Sequence, residues 1–150
     1  MTGPHGHYSS DVKEESNRAP FEATVLRAFV IAHLLTANVN QAEEAVLIAI
    51  DSFDPDTDTD ESLFQSAISA AVRLPWRTPN LSRVFLPAEL QSVLNLPGEL
   101  RRCFVLRVLL GMSRQACAAL LRLNVRSVER HTCNALQHFG CREQFEFNLP

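Results

Sequence analysis

The stretch between Leu96 and Cys141 most constrains what this chain can fold into. Apolar residues recur there at helical spacing, which predicts three short helices in close succession. Gly111 suits the left-handed end of the first helix, and the triplet 122–124 predicts a tight turn before the third. Helices this short are stable only when they bury an apolar side against one another.

The first two of these helices each show a predicted apolar side. On the first it comprises Leu100, Phe104, Leu106 and Leu109. Ser113 is a candidate cap for the second helix, because its hydroxyl can accept from a free backbone N–H. The apolar side of that helix comprises Ala116, Ala119, Leu120 and Leu121.

The third helix has two faces of opposite character, with Asn124 as its candidate N-cap. One arc of the helical wheel carries Val125, Val128, Thr132, Ala135, Leu136 and Phe139. The opposite arc carries Arg126, Arg130, Cys133 and Gln137. A short helix with a buried back and an arginine-bearing front, preceded by a helix and a tight turn, is the layout of a helix-turn-helix DNA-binding unit.

The position of each polar side chain predicts its role on DNA. Arg126 and Arg130 lie near the start of the third helix, where side chains reach base edges in the major groove. Arg114, at the start of the preceding helix, is expected to face the phosphate backbone. The full set of candidate DNA-binding residues is Arg114, Arg126, Ser127, Arg130, His131 and Asn134.

The segments ELRRCFVLRVLLGMS and AALLRLNVRSVERHTCNAL, after Leu96-Pro97, resemble region four of bacterial RNA polymerase sigma factors of the extracytoplasmic-function type. The resemblance covers about residues 93–139 and implies binding to an upstream promoter element, together with the RNA polymerase core. The chain departs from the family pattern at three places. Residues 116–118 replace Glu-Ile-Ala, Arg122 replaces the turn glycine, and Asn134 replaces an arginine that implies a phosphate contact.

The end of the same stretch, SVERHTCNALQHFGC, also resembles the LuxR-type helix-turn-helix, a weaker match. Because both families share this motif, the predicted helix-turn-helix does not depend on which resemblance is the closer.

Charge is divided unevenly along the chain, whose formal net charge is −3. Residues 1–92 hold 6 Lys and Arg against 13 Asp and Glu, whereas residues 93–150 hold 8 Arg against 4 Glu. A basic second half favours DNA binding there alone, and the small excess predicts weak, salt-sensitive affinity. A fragment of residues 91–150 is therefore expected to bind duplex DNA at least as well as the whole chain.

The pattern predicts an all-α protein of two small domains. A disordered tail (1–18) precedes a three-helix domain (19–74), with helices near 20–37, 40–53 and 62–74; Asn40 to Glu43 has the spacing of a capping box for the second. Prolines 75 and 79 open a linker (75–90) that leads to the helix-turn-helix domain (91–142) and a short tail (143–150). The linker contains four apolar side chains that favour burial, so it is expected to pack against the helical domains: Trp76, Val84, Phe85 and Leu86.

The first half resembles sigma region two more faintly, through QAEEAVLIAIDSFDP and SLFQSAISAAVRL. The resemblance implies that Glu43 and Glu44 contact a protein partner. Strand separation requires cations and exposed aromatic rings. Residues 41–74 hold one base, Arg73, against eight acids, and Phe53 and Phe64 are expected to be buried. We therefore expect weak or absent promoter melting.

Other readings of single motifs are weaker. Asp54, Asp56 and Asp58 begin like a calcium loop, but Thr59 and Gln65 stand where that loop needs Gly and Glu. Cys103 and Cys117 are predicted to fill the core and Cys133 to be an exposed thiol, while His131, His138 and Cys141 lack a zinc spacing. No cofactor motif or catalytic cluster is present, so an enzyme is not expected.

The sequence carries neither a secretory signal pattern nor an apolar run long enough to span a bilayer, which predicts a cytoplasmic protein with no membrane partner. The favoured function is a sigma-factor-like transcription regulator that binds promoter DNA. The alternative is a sigma mimic that binds an anti-sigma factor, another sigma partner or polymerase without recognising DNA.

Overall fold

The computed structural model describes the backbone of residues 8–80 and 86–140, with side chains from residue 18 onward in those ranges. Every regular element in these ranges is a helix, so the predicted all-α class is confirmed. The helices are α1 (Tyr8–Thr36), α2 (Val39–Asp51), α3 (Asp60–Arg73), α4 (Ala88–Leu94), α5 (Gly98–Phe104, continued by a π-helical turn, Val105–Leu109), α6 (Arg114–Leu121) and α7 (Val125–His138).

The first three helices pack on one another as the predicted three-helix bundle. Their shared core is built from small and aliphatic side chains, which lets the helix axes approach closely. The fully or almost fully buried members are Ala28, Ala32, Leu34, Leu35, Ala42, Ala45, Ala49, Leu63, Phe64, Ala67, Ile68 and Ala71. The expected burial of Phe64 is confirmed, and Phe53 is half-buried with its ring 5.6 Å from that of Phe21.

Helix α1 begins at Tyr8, so residues 8–18 differ from the disordered tail that the sequence predicted; residues 1–7 lie outside the described residues. The polar helix formers Lys13, Glu14 and Glu15 extend a helix already nucleated by its buried part, which costs little free energy. Pro20 lies inside the helix, where it lacks an N–H to donate.

Helix α2 begins two residues earlier than its predicted capping box, which was therefore misplaced. Asn38 is the N-cap, and its side-chain oxygen accepts from the backbone N–H of Gln41 at 3.0 Å. In the acidic loop that follows, the Asp58 carboxylate accepts from the N–H of Asp54 at 2.8 Å, and Thr59 forms a capping box with Ser62 at the start of α3. These acids and hydroxyls stabilise a loop and a helix end.

The segment after α3 packs against the bundle, although Trp76, which was expected to be buried, is 54% exposed. Asn80 exchanges two backbone hydrogen bonds with Ala37 and Val39, and the side chain of Gln41 donates to the carbonyl of Pro75 at 2.5 Å. Leu86 is buried, whereas Val84 and Phe85 lie outside the described residues. Helix α4 occupies the end of the predicted linker, so the second helical unit begins near residue 88.

Two neighbouring arginines on α5 join the C-terminal helices to the bundle. Arg101 is 5% exposed and donates to the carbonyl of Leu35 at the end of α1 (3.4 Å) and to that of Leu96 (3.0 Å). Arg102 donates to the carbonyl of Val72 in the last turn of α3 (3.3 Å). Both cations thus lie at helix C-termini, where carbonyl groups lack partners and the helix dipole is negative.

Residues Arg18–Thr36 of α1 are long and apolar enough to cross a bilayer by length and composition alone. Core helices of bundles share this composition, and Ala28, Ala32 and Leu35 of α1 form the core described above. The absence of a membrane partner remains a prediction.

Candidate nucleic-acid interface

The C-terminal unit rests on α5, whose second half departs from ideal helical geometry. The N–H of Leu110 bonds to the carbonyl of Val105 at 3.0 Å, a spacing of five residues. This π-helical turn buries Leu106 but leaves Val108 and Leu109 exposed, at 44% and 39%. The predicted placement of Leu109 on the apolar side was therefore wrong, because the wider turn rotates the residues that follow it.

The breaks before α6 follow the sequence prediction. Gly111 adopts a φ of 66°, the left-handed conformation that ends a helix at low cost when no Cβ is present. Ser113 caps α6, with its hydroxyl accepting from the N–H of Ala116 at 3.0 Å. The buried side of α6 is Cys117 and Ala118, whereas Ala116 and Ala119 are exposed. The predicted apolar stripe was thus rotated by about one residue.

The turn between α6 and α7 has the geometry of a glycine turn without the glycine. Arg122 adopts φ 56° and ψ 42°, and its N–H bonds to the carbonyl of Ala118. A left-handed conformation costs a residue with a Cβ about 1 kcal/mol, so the surrounding contacts must hold it. Asn124 then caps α7 by accepting from the N–H of Ser127 at 2.7 Å, as predicted.

Helix α7 has the predicted buried back and exposed front. Val128 and Ala135 are fully buried, and the half-buried ring of Phe139 packs against Phe104 of α5 with ring centroids 4.9 Å apart. The front lies on the opposite side of the helix and is exposed: Arg126, Arg130, Cys133, Asn134 and Gln137. The helix therefore presents arginine, amide and thiol side chains on a rigid support.

The structure separates the predicted DNA-binding residues. Ser127 is half-buried in the first turn of α7, beside its cap Asn124. Arg126, Arg130 and Asn134 lie together on the exposed front of α7. His131 lies elsewhere: its side chain is 15% exposed, and Nε2 is 3.3 Å from the Glu99 carboxylate of α5. Because this contact is between helices of the same unit, His131 belongs to the packing of α7 on α5.

Arg114 pairs with a residue of the same chain that the sequence did not indicate. Its guanidinium contacts the carboxylate of Glu129 on α7, 15 positions along the chain. Both side chains remain about half exposed. Glu129 could have been found from the helical wheel, where it falls at the edge of the exposed arc on the side of Arg126.

The buried thiols of this unit are poor candidates for chemistry. Burial raises the pKa of the Cys103 thiol to about 11, with Cys117 and Glu99 adding to the effect, and burial also raises the pKa of Cys117. Thiols held in the protonated form are weak nucleophiles and poor metal ligands. Their predicted role as core residues is confirmed by their full burial.

Comparison with known families identifies this unit. Residues 89–139, about a third of the chain, match the family model of sigma-70 region 4. These residues form a region-four-type helix-turn-helix, found in non-enzymatic, DNA-binding transcription factors that work with RNA polymerase in the cytoplasm. The match includes α4, which the predicted domain boundary at residue 91 divided. No curated protein and no solved structure matches the chain significantly.

Proposed function

We propose that this protein is a sigma-factor-like transcription regulator that binds promoter DNA through α7, with the RNA polymerase core as its partner. The observation that carries the proposal is the exposed front of α7, where Arg126 and Arg130 lie one helical turn apart on a buried support. Guanidinium groups at this spacing suit bidentate contacts to guanine edges in a major groove. The region-four match of the same residues supports this assignment.

Fluorescence anisotropy with the full chain and a labelled random-sequence duplex tests this function. We expect binding at low salt that weakens as salt rises, because each phosphate contact releases condensed counterions. A matched sample with Arg126 and Arg130 both changed to Ala should bind more weakly and with a smaller salt slope. Failure of the unaltered chain to bind duplex DNA at low salt would reject the proposal.

We further propose that the first half does not melt promoters. The acids of residues 41–74 repel phosphate over about 8–10 Å, and the buried Phe64 cannot hold an unstacked base. Permanganate footprinting with core polymerase tests this. Reactive thymines near a start site that depend on this protein alone would show that the bundle is a working region two.

A second candidate function is a sigma mimic that binds a protein partner, such as an anti-sigma factor, without promoter recognition. An apolar groove of about 450 Å³ between α1 and α2 favours it. Phe21, Val25 and Phe29 line one side and Val46, Leu47 and Ile50 the other. Glu43 borders the groove, and Leu26 and Leu47 are 65% and 50% exposed. Exposed apolar surface of this kind marks protein contact sites.

Co-purification with core polymerase distinguishes the two candidates when it is scored beside DNA binding. Leu47→Arg should abolish partner binding while leaving DNA binding intact, because the groove lies on α1 and α2 and not on α7. Gln65→Arg, on the exposed side of α3, is the matched control for the added charge. The mimic function predicts partner capture by a chain that binds no DNA.

A further inference from the structure

The contact between Arg114 and Glu129 brings a carboxylate to the edge of the candidate DNA interface. Glu129 lies between Arg126 and Arg130 in sequence and about 60° from Arg126 around the helix. Its side chain is 45% exposed, and that of Arg114 is 53% exposed. Glu129 therefore remains accessible to a bound duplex while one of its carboxylate oxygens, Oε1, contacts Arg114.

This ion pair contributes little to the fold itself. Exposed pairs typically stabilise a protein by at most about 1 kcal/mol, because water already solvates both charges. The packing of α7 in this unit comes instead from buried side chains such as Val128 and Ala135, together with Cys117 on α6. The position of the pair beside the exposed front of α7 is thus better explained by an effect on DNA binding than by an effect on stability.

The pair changes how the unit meets a phosphate backbone. Arg114, by its position at the start of α6, is the expected phosphate contact, yet the adjacent carboxylate cancels its charge. A free arginine would attract any DNA, whatever its sequence. A neutralised arginine removes that attraction, and the carboxylate itself repels phosphate.

The same carboxylate discriminates among base edges. In the major groove cytosine presents its N4 amino donor without an adjacent acceptor. Guanine O6, guanine N7 and thymine O4 are acceptors and would repel Glu129, whereas adenine places its acceptor N7 beside the N6 amino group. A carboxylate at this position therefore favours cytosine.

We propose that Glu129 is a specificity-determining residue: its carboxylate, positioned by Arg114, suppresses binding to unrelated DNA and selects cytosine at one position of the recognised site. This rests on the proposed DNA-binding function. Specificity then comes from a repulsive element as well as an attractive one, which is the general way in which proteins reject wrong partners.

The test uses the full chain, selection from a random duplex library, and anisotropy on the unselected library at several salt concentrations. Glu129→Gln keeps the shape of the side chain and removes its charge. It should tighten binding to the unselected library by about three- to ten-fold at low salt and steepen the salt slope by about 0.9. Cytosine enrichment at one position, present for the unaltered chain, should disappear.

Arg114→Ala separates charge cancellation from a structural role. It should weaken binding to the unselected library when it is the only change, because it leaves the Glu129 carboxylate unpaired, and it should remove the gain in the Glu129→Gln background. Glu61→Gln is the matched control, since Glu61 also pairs with an exposed arginine, Arg27, but in the bundle. It should change neither affinity nor base preference.

Two results overturn the inference while leaving DNA binding intact. In one, Glu129→Gln leaves affinity or cytosine preference unchanged. In the other, it weakens binding to all sequences, which would mean that the pair only holds α6 against α7. If the unaltered chain binds no duplex at any salt concentration, the proposed function itself fails.

Discussion

The guanidinium of Arg101 donates a hydrogen bond to the carbonyl of Leu35 at 3.4 Å, across 66 positions of the chain. Arg102, its neighbour, donates to Val72 and lies 3.9 Å above the ring of Trp76. Arginines on one turn of α5 thus donate to carbonyl groups at the C-terminal ends of α1 and α3. The helix-turn-helix unit and the bundle therefore form one packed body. A fragment cut at residue 91 would divide α4 and remove both sets of contacts.

Removal of Arg101 should destabilise the whole chain. Arg101→Ala leaves the carbonyls of Leu35 and Leu96 without this donor and opens a cavity, at a cost of about 2–5 kcal/mol. Urea unfolding measures the change in the free energy of unfolding. Arg77→Ala, a change at an exposed arginine, is the control and should alter this free energy by no more than about 0.5 kcal/mol. A loss at Arg101 no larger than that of the control would show that the two halves do not depend on this contact.

Gly98 is required because Trp76 occupies the space where a side chain would lie. A Cβ at this position would come within 2.3 Å of the indole ring. Gly98→Ala should therefore displace Trp76 from Arg102 and cost about 1–3 kcal/mol. Trp76 is the only tryptophan, so a change in its fluorescence reports the displacement.

The double variant Gly98→Ala/Trp76→Leu is the control for that clash. If the cost at Gly98 arises from the indole, it should be much smaller in the Trp76→Leu background. An unchanged cost in both backgrounds would mean that Gly98 acts through the helix start alone.

His33 should make stability fall in mild acid. It is fully buried on α1, and burial together with the charge of Arg101 lowers its pKa below the ordinary 6.5. The unfolded chain takes up a proton near pH 6.5, whereas the folded chain does so only at lower pH. Stability is therefore retained above about pH 6.5 and lost as the pH falls below it.

Urea unfolding at pH 7.5 and 5.5 measures this effect. In His33→Leu the free energy of unfolding should differ less between the two pH values. His138→Gln, a change at an exposed histidine, should leave that difference as it is in the unaltered chain. Equal pH dependence of His33→Leu and the unaltered chain would contradict the assignment.

The elements that sequence predicted well are those in which local chemistry and packing agree. The side chains of Ser113 and Asn124 cap helices, and the backbone of Gly111 ends one. Helix α7 has two faces of clearly different polarity. The π-helical turn after Phe104 has no such local cause, so the exposure of Leu109 could not be read from periodicity.

The missed contacts depend on distant parts of the chain. The contacts of Arg101 and Arg102 could not be predicted from sequence, because only the folded bundle brings the ends of α1 and α3 beside them. The contact of Glu129 with Arg114 was not predicted, because the two residues lie on different helices. His131 was predicted to bind DNA, whereas its contact with Glu99 places it against α5.

The most direct test of the central claim compares base preference among arginine variants of the full chain. Duplexes enriched by the unaltered protein, and versions changed at single base pairs, are titrated by anisotropy against Arg130→Ala and the control Arg27→Ala. Arg130→Ala should weaken binding to the enriched duplex by about 1–3 kcal/mol. The variant should then bind the altered duplexes nearly as well as it binds the enriched one. Equal weakening on every duplex, with preference retained, would contradict sequence reading by α7.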